Sequence, residues 1–116
     1  MKQEEPTQEQ IKEFWEWCEW KQLPPQSKSF HYEWGKKVMD WSSPIPDENW
    51  KTYSSLPNIN LNNLFKYAVP KLIEKLAWGR YVDLMKKWLD DILFESKDPA
   101  LTLFWTIWEV IKKDGS

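Results

Sequence analysis

Apolar residues recur three and four positions apart in several stretches of the chain, and this spacing predicts amphipathic helices. A first helix is predicted over about 8–21, where Thr7 and Gln10 fit a capping box that closes the N-terminal turn. A second, over about 80–95, shows the cleanest separation of an apolar face from a charged face. Both helices should therefore lie on the surface of a core.

Pro70 interrupts the apolar stripe that follows Asn60. A proline inside a helix removes one backbone hydrogen bond and clashes with the preceding turn. We therefore expect two helical pieces, over about 61–69 and 70–77, with Asn60 as the N-cap of the first.

The last helix, predicted over 99–112, is apolar around most of its circumference. Asp98 followed by Pro99 is a strong start signal, because an acidic N-cap and a proline in the first turn both favour helix initiation. A helix with so little polar surface is buried by several neighbours. We expect this helix at the centre of the fold.

The segment 22–60 contains most of the prolines and few helical signals. Aromatic and polar residues alternate from Phe30 to Trp34, and Gly35 follows, which predicts a small β-hairpin over about 30–41. A single helical turn is predicted over 47–50.

These elements predict a mainly α fold, a compact domain of four to five helices around the buried C-terminal helix, with the small hairpin added. A chain of 116 residues is the size of one domain. We expect a disordered lead over residues 1–6 and a single domain over 7–116.

Charge and cysteine content narrow the class of protein. The net charge of −2 provides no general attraction to nucleic acid or to an anionic membrane. Cys18 is the only cysteine, and the polar N-terminus is followed by no apolar stretch of a signal peptide. We expect a cytoplasmic protein, in the cytosol of a host cell, that does not contact a membrane.

Residues for catalysis or metal binding are few. His31 is the only histidine, so a catalytic triad or a two-histidine metal site lacks its parts. Cys18 lies on the apolar face of the first helix, beside Glu19, and an acidic neighbour slows a thiol. We expect no enzymatic activity, no metal and no cofactor.

Ten tryptophans are more than a core of this size needs, and indoles are enriched at binding hot spots. Two explanations remain open: the tryptophans of the first half fill a core that lacks regular structure, or they form a surface for a protein partner or for self-association. The candidate interaction surface consists of Trp17, Trp20, Trp34, Trp41 and Trp50.

A nucleic-acid contact is the alternative function, because aromatic residues next to lysines can stack on the bases of a single strand. Two lysines without an arginine, with acidic residues nearby, make the pattern a weak one. The candidate contact residues are Tyr32, Trp34, Lys36, Lys37 and Trp41.

Three segments resemble small phage and prophage proteins of uncharacterised function: 11–18, 61–72 and 98–110. The shared sequence motifs are Glu-Phe-Trp-x-Trp-Cys near the start and Asp-Pro-Ala-Leu-x-Leu-Phe-Trp-x-Ile-Trp near the end. The resemblance implies a small non-enzymatic accessory protein that acts through protein–protein contact. Some members are similar to a phage α-β-α sandwich domain, which makes an α+β sandwich the alternative fold.

Overall fold

The computed structural model describes residues 4–45 and 51–114, and helices occupy both ends of this range. A π-helical segment, Leu64–Ala68, joins two of the helices into one continuous rod. The helices are α1 (Gln8–Trp17), α2 (Leu61–Asn63), α3 (Val69–Lys75), α4 (Trp78–Phe94) and α5 (Pro99–Asp114).

Short strands occur among the described residues between α1 and α2. They form a three-stranded antiparallel sheet in the order β1-β4-β5 and a separate β2–β3 hairpin. The strands are β1 (Lys21–Gln22), β2 (Phe30–Glu33), β3 (Lys36–Met39), β4 (Trp41–Ser42) and β5 (Thr52–Tyr53).

The two antiparallel sheets make the predicted mainly α class wrong, and we assign the fold to the α+β class. The hairpin predicted over 30–41 is present, but the three-stranded sheet was not predicted. Its strands are two residues long, so they carry no alternating pattern, and they pair residues far apart such as Lys21 with Ser42. The described residues do not form an α-β-α sandwich either, because the strands lie in two small sheets and the segment 78–94 is helical.

The core is built around α5, as predicted. This helix contacts α1, α2, the π-helical segment and α4. The Phe104 ring stacks on Phe14 of α1, with ring centroids 4.6 Å apart. The largest fully buried side chains are Trp15, Phe14, Phe104, Leu64, Leu72, Leu103 and Ile107.

The first helix starts where the capping box predicts but ends earlier, at Trp17 instead of residue 21. Glu19 adopts a left-handed conformation with φ of 73°, and the backbone N–H of Trp20 donates to the carbonyl of Trp15 at 3.0 Å. This is a Schellman ending, a termination that glycine usually signals. The sequence has glutamate at this position, so the predicted boundary was wrong.

The predicted division at Pro70 is also wrong, since the chain stays helical from Leu61 to Lys75. The π-helical segment ends at Ala68, two residues before the proline, and the N–H of Val69 donates to the carbonyl of Leu64, five residues earlier. This wider turn accommodates the proline without ending the helix. The Asn60 cap is confirmed, because its side chain accepts from the N–H of Asn63.

The remaining helix predictions hold with small shifts. Asp98 caps α5 by accepting from the N–H of Leu101 at 2.9 Å, as its position before Pro99 predicts. The helical turn predicted over 47–50 lies outside the described residues. Among the helices that the structure describes, none combines the length and apolar content needed to span a membrane.

Candidate interaction surface

The candidate surface of five tryptophans does not exist as one surface. Trp20 and Trp41 are 2% and 7% exposed and belong to the core, so neither can anchor a partner. Trp17 is half-buried and packs against the core, whereas Trp34 is 100% exposed. Trp50 lies outside the described residues.

Trp20 directly follows the Schellman ending of α1, and its side chain is buried between β5 and the π-helical segment. Its ring packs edge-on against Tyr53 of β5, at 5.3 Å, and against Tyr67, at 5.0 Å. Trp41 occupies the central strand of the three-stranded sheet, β4. The sequence left open whether these tryptophans fill the core or form a surface, and in the structure pairing between distant segments covers both.

The β2–β3 hairpin carries Trp34, which is the most exposed of the large hydrophobic side chains that the structure describes. Its two strands are antiparallel, with Phe30 opposite Met39 at one end and Glu33 opposite Lys36 at the other. Each strand contacts its partner strand more than it contacts any other helix or strand. Trp34 and Gly35 form the two-residue connection, with φ of 53° and 78°. Positive φ at both positions is the signature of the type I′ turn, whose twist matches that of the strands.

Three aromatic residues and one lysine define the hairpin surface: Phe30, Tyr32, Trp34 and Lys37. Tyr32 is 67% exposed and Phe30 is 38% exposed. These two rings lie edge to face, with centroids 5.7 Å apart, and the Lys37 ammonium lies 4.4 Å from the centroid of Phe30. The rings and the lysine thus support one another in a fixed arrangement.

His31 lies between two carboxylates at the base of the hairpin. Its Nε2 is 2.9 Å from Glu33, and its Nδ1 is 2.7 Å from Asp40. The hydrogen bonds to Glu33 and then to Asp40 raise the pKa of His31 above its ordinary value, since both favour the imidazolium. A hydrogen bond from the Ser29 hydroxyl, followed by that from His31, lowers the pKa of Asp40.

This cluster does not have the geometry of a nucleophilic triad. The Ser29 hydroxyl donates to Asp40 at 2.7 Å, whereas both nitrogens of His31 face carboxylates, so the histidine is not placed to take the serine proton as it does in a triad. Among residues 4–45 and 51–114, no group of three His, Cys, Asp or Glu side chains is placed to hold a metal ion. The arrangement links the two strands and fixes the base of the hairpin.

Cys18 is buried against the core, and burial raises the pKa of its thiol above its ordinary value. A nearby Lys71 opposes this shift only in part. A thiol without access to solvent and without thiolate character is a poor nucleophile.

The alternative set of nucleic-acid contacts is also divided by the fold. Tyr32, Trp34, Lys36 and Lys37 are exposed on the hairpin, but Trp41 is buried and cannot stack on a base. Lys36 pairs across the strands with Glu33. The positive charge on the hairpin is therefore accompanied by acidic groups.

The sequence prediction omitted Phe30, and it treated His31 as an isolated solvated residue. Phe30 and Tyr32 are two positions apart on a strand, so they share one face of the hairpin. That spacing was the available signal for including Phe30. The contact of His31 with Asp40 had no local signal, because it depends on the strand pairing.

Comparison with protein-family models, curated proteins and solved structures finds no match to this chain. The function must therefore be argued from the geometry of the hairpin and from its chemistry.

Proposed function

We propose that the protein acts by binding another protein through the hairpin surface, with Trp34 as the central anchor, and that it catalyses no reaction. The observation that carries the proposal is that a fully exposed tryptophan occupies a left-handed position of a tight turn.

Trp34 is an unfavourable residue for folding at this position. The type I′ turn favours Asn-Gly, and a bulky residue at positive φ costs about 1–3 kcal/mol. No burial offsets this cost, because the side chain is 100% exposed. An indole that weakens the turn and contributes nothing to the core is explained by a contact outside the chain, where tryptophan and tyrosine are typical hot-spot residues.

The charge around the hairpin favours a protein partner over a nucleic acid. Lys37 lies over the ring of Phe30, Lys36 stands opposite Glu33 in the strand register, and His31 lies between the carboxylates of Glu33 and Asp40. A single-strand binder needs a continuous positive groove along the phosphates. The exposed rings of Tyr32 and Trp34 beside two lysines keep nucleic-acid binding as the second candidate.

An accessory role in a phage or prophage belongs to the same proposal. The support for this role is the sequence resemblance of segments 11–18, 61–72 and 98–110 to phage and prophage proteins. The resemblance implies no catalytic residue. The partner is then a phage or host protein, or a second copy of this chain.

Site-specific photo-crosslinking tests the proposal. A benzophenone amino acid replaces Trp34 in one variant and Trp78, which is 70% exposed on α4, in a matched control. In cells that express the protein, we expect the variant with benzophenone at position 34 to form a crosslinked product with a second polypeptide. The variant with benzophenone at position 78 should form no crosslinked product of the same mass. Adding Tyr32→Ala should reduce the yield of the product from position 34.

The identity of the product separates the candidates. A product of twice the chain mass identifies self-association, and a product with a different polypeptide identifies a partner. A product with nucleic acid would replace the proposal by the second candidate. No product from position 34, or equal products from positions 34 and 78, would contradict a specific contact by the hairpin.

A further inference from the structure

A cleft of about 550 Å³ lies between α4 and α5, beside the end of α3, and no hairpin residue lines it. The connection between α4 and α5 spans only residues 95–98, so the two helices run antiparallel. The start of α4 therefore lies near the end of α5. This arrangement brings charged residues from three helices into one place.

Basic residues outnumber acidic residues in the lining of the cleft. Two carboxylates, Asp83 and Glu109, also line it, which leaves an excess of two positive charges in a chain with a net charge of −2. The antiparallel helices place Arg80 and Lys113 at the same end. The four cations are Lys75, Arg80, Lys87 and Lys113.

Three of these cations have no ion-pair partner within the part of the chain that the structure describes. The ion pairs found there involve none of Lys75, Arg80 and Lys87, although Asp83 lies within one turn of both Arg80 and Lys87 on α4. Arg80 is also the only arginine of the chain. Its guanidinium carries the fork of donors that suits a phosphate oxygen pair.

The cleft also has an apolar side. Leu76, Leu84 and Val110 are half-buried and line it between the charged groups. Cations around an apolar surface match a ligand that has an anionic head and an apolar body. The volume lies in the range of small-molecule sites.

We propose that this cleft binds a small organic phosphate that carries at least two negative charges. Arg80, Lys75 and Lys113 receive the phosphate groups, and the apolar side chains receive the organic part. The site is independent of the hairpin surface, so either proposal can fail without the other.

Calorimetry with adenosine diphosphate, pyrophosphate and adenosine tests the proposal on the whole chain. We expect the diphosphate to bind with a dissociation constant below about 1 mM, pyrophosphate to bind more weakly, and adenosine not to bind. Amide NMR signals of residues 75–87 and 106–113 should shift on addition of the diphosphate. Binding should weaken as the salt concentration rises.

Arg80→Glu should weaken binding about tenfold or more, which is the loss expected for a charge-assisted phosphate contact. Lys86→Glu changes the charge of the same helix by the same amount, but Lys86 does not line the cleft. The affinity of this variant for the diphosphate should therefore stay within about twofold of the wild-type value. Lys75→Gln is a milder second variant that should also weaken binding, because Lys75 is one of the residues that receive the phosphate groups.

Three results would overturn the proposal. They are an absence of binding by all three compounds, an equal loss of affinity in Arg80→Glu and Lys86→Glu, and adenosine binding as tightly as its diphosphate. Circular dichroism of each variant shows that it retains the fold before its affinity is measured.

Discussion

The indole nitrogen of Trp15 donates a hydrogen bond to the backbone carbonyl of Pro57, 42 residues further along the chain, at a distance of 2.9 Å. Trp15 is fully buried on α1, and Pro57 lies in the irregular segment before α2. The same chemistry recurs where Trp88 donates to the carbonyl of Pro99 at 3.0 Å. Both tryptophans thus fill the core and also tie it to a distant backbone carbonyl, one in the irregular segment before α2 and one in the first turn of α5.

Replacing Trp15 by phenylalanine should destabilise the protein by about 1–3 kcal/mol, because the carbonyl of Pro57 loses its partner while an aromatic ring remains. Urea unfolding followed by far-UV circular dichroism measures the change. Trp34→Phe is the matched control and should stay within about 0.5 kcal/mol, since that side chain is exposed. Equal effects of the two variants would show that the hydrogen bond has no stabilising role.

Replacing Trp34 by asparagine should stabilise the protein by about 1 kcal/mol, because asparagine tolerates the left-handed conformation of the turn. The melting temperature should rise by about 3–6 °C. Gly35→Ala should lower it, since the added Cβ meets no neighbour within 4 Å and only the positive φ of 78° opposes it. A lower melting temperature for Trp34→Asn would show that Trp34 supports the fold.

The stability contributed by His31 should depend on pH. Its pKa is raised by Glu33 and Asp40, so the contribution is complete below the ordinary value of 6.5 and is lost as the pH rises through the higher value of the folded state. The melting temperature of the wild type should therefore fall relative to that of His31→Gln as the pH rises above 6.5 and through the raised pKa of the folded state.

The stability contributed by Asp40 depends on pH in the opposite direction and in a lower pH range. Its lowered pKa means that its contribution is present above its ordinary value of 3.8 and is lost as the pH falls through the lower folded value. For His31, NMR titration of the ring protons checks that its pKa is raised. An unshifted His31 titration would contradict the contacts with the two carboxylates.

Oxidation of the native protein by N-bromosuccinimide should follow exposure. Trp34 and Trp78 should react first, whereas Trp20 and Trp41 should react only after unfolding, because the reagent needs contact with the indole. Peptide mass spectrometry locates each oxidised residue, and a urea-unfolded sample is the control. Oxidation of Trp41 as fast as that of Trp34 would contradict its place in the three-stranded sheet.

The helix starts could be read from the sequence because their signals are local. Thr7, Asn60 and Asp98 each bind an N–H three residues ahead, so the pattern and the contact lie in the same turn. The end of α1 could not be read, since Glu19 takes the left-handed position that glycine usually occupies. Of the aromatic residues of the hairpin surface, the sequence predicted only Tyr32 and Trp34, because the alternation of aromatic and polar residues placed them on a hairpin.

The sequence by itself determined the positions of most helices, the central place of α5 and the hairpin, because apolar periodicity and capping act over a few residues. Only the tertiary structure decided the α+β class, the burial of Trp20 and Trp41, and the exposure of Trp34. The pairing of β1, β4 and β5 joins segments up to 32 positions apart, from Lys21 to Tyr53. Burial of an indole depends on which distant segments cover it, and that information is absent from any short stretch of the chain.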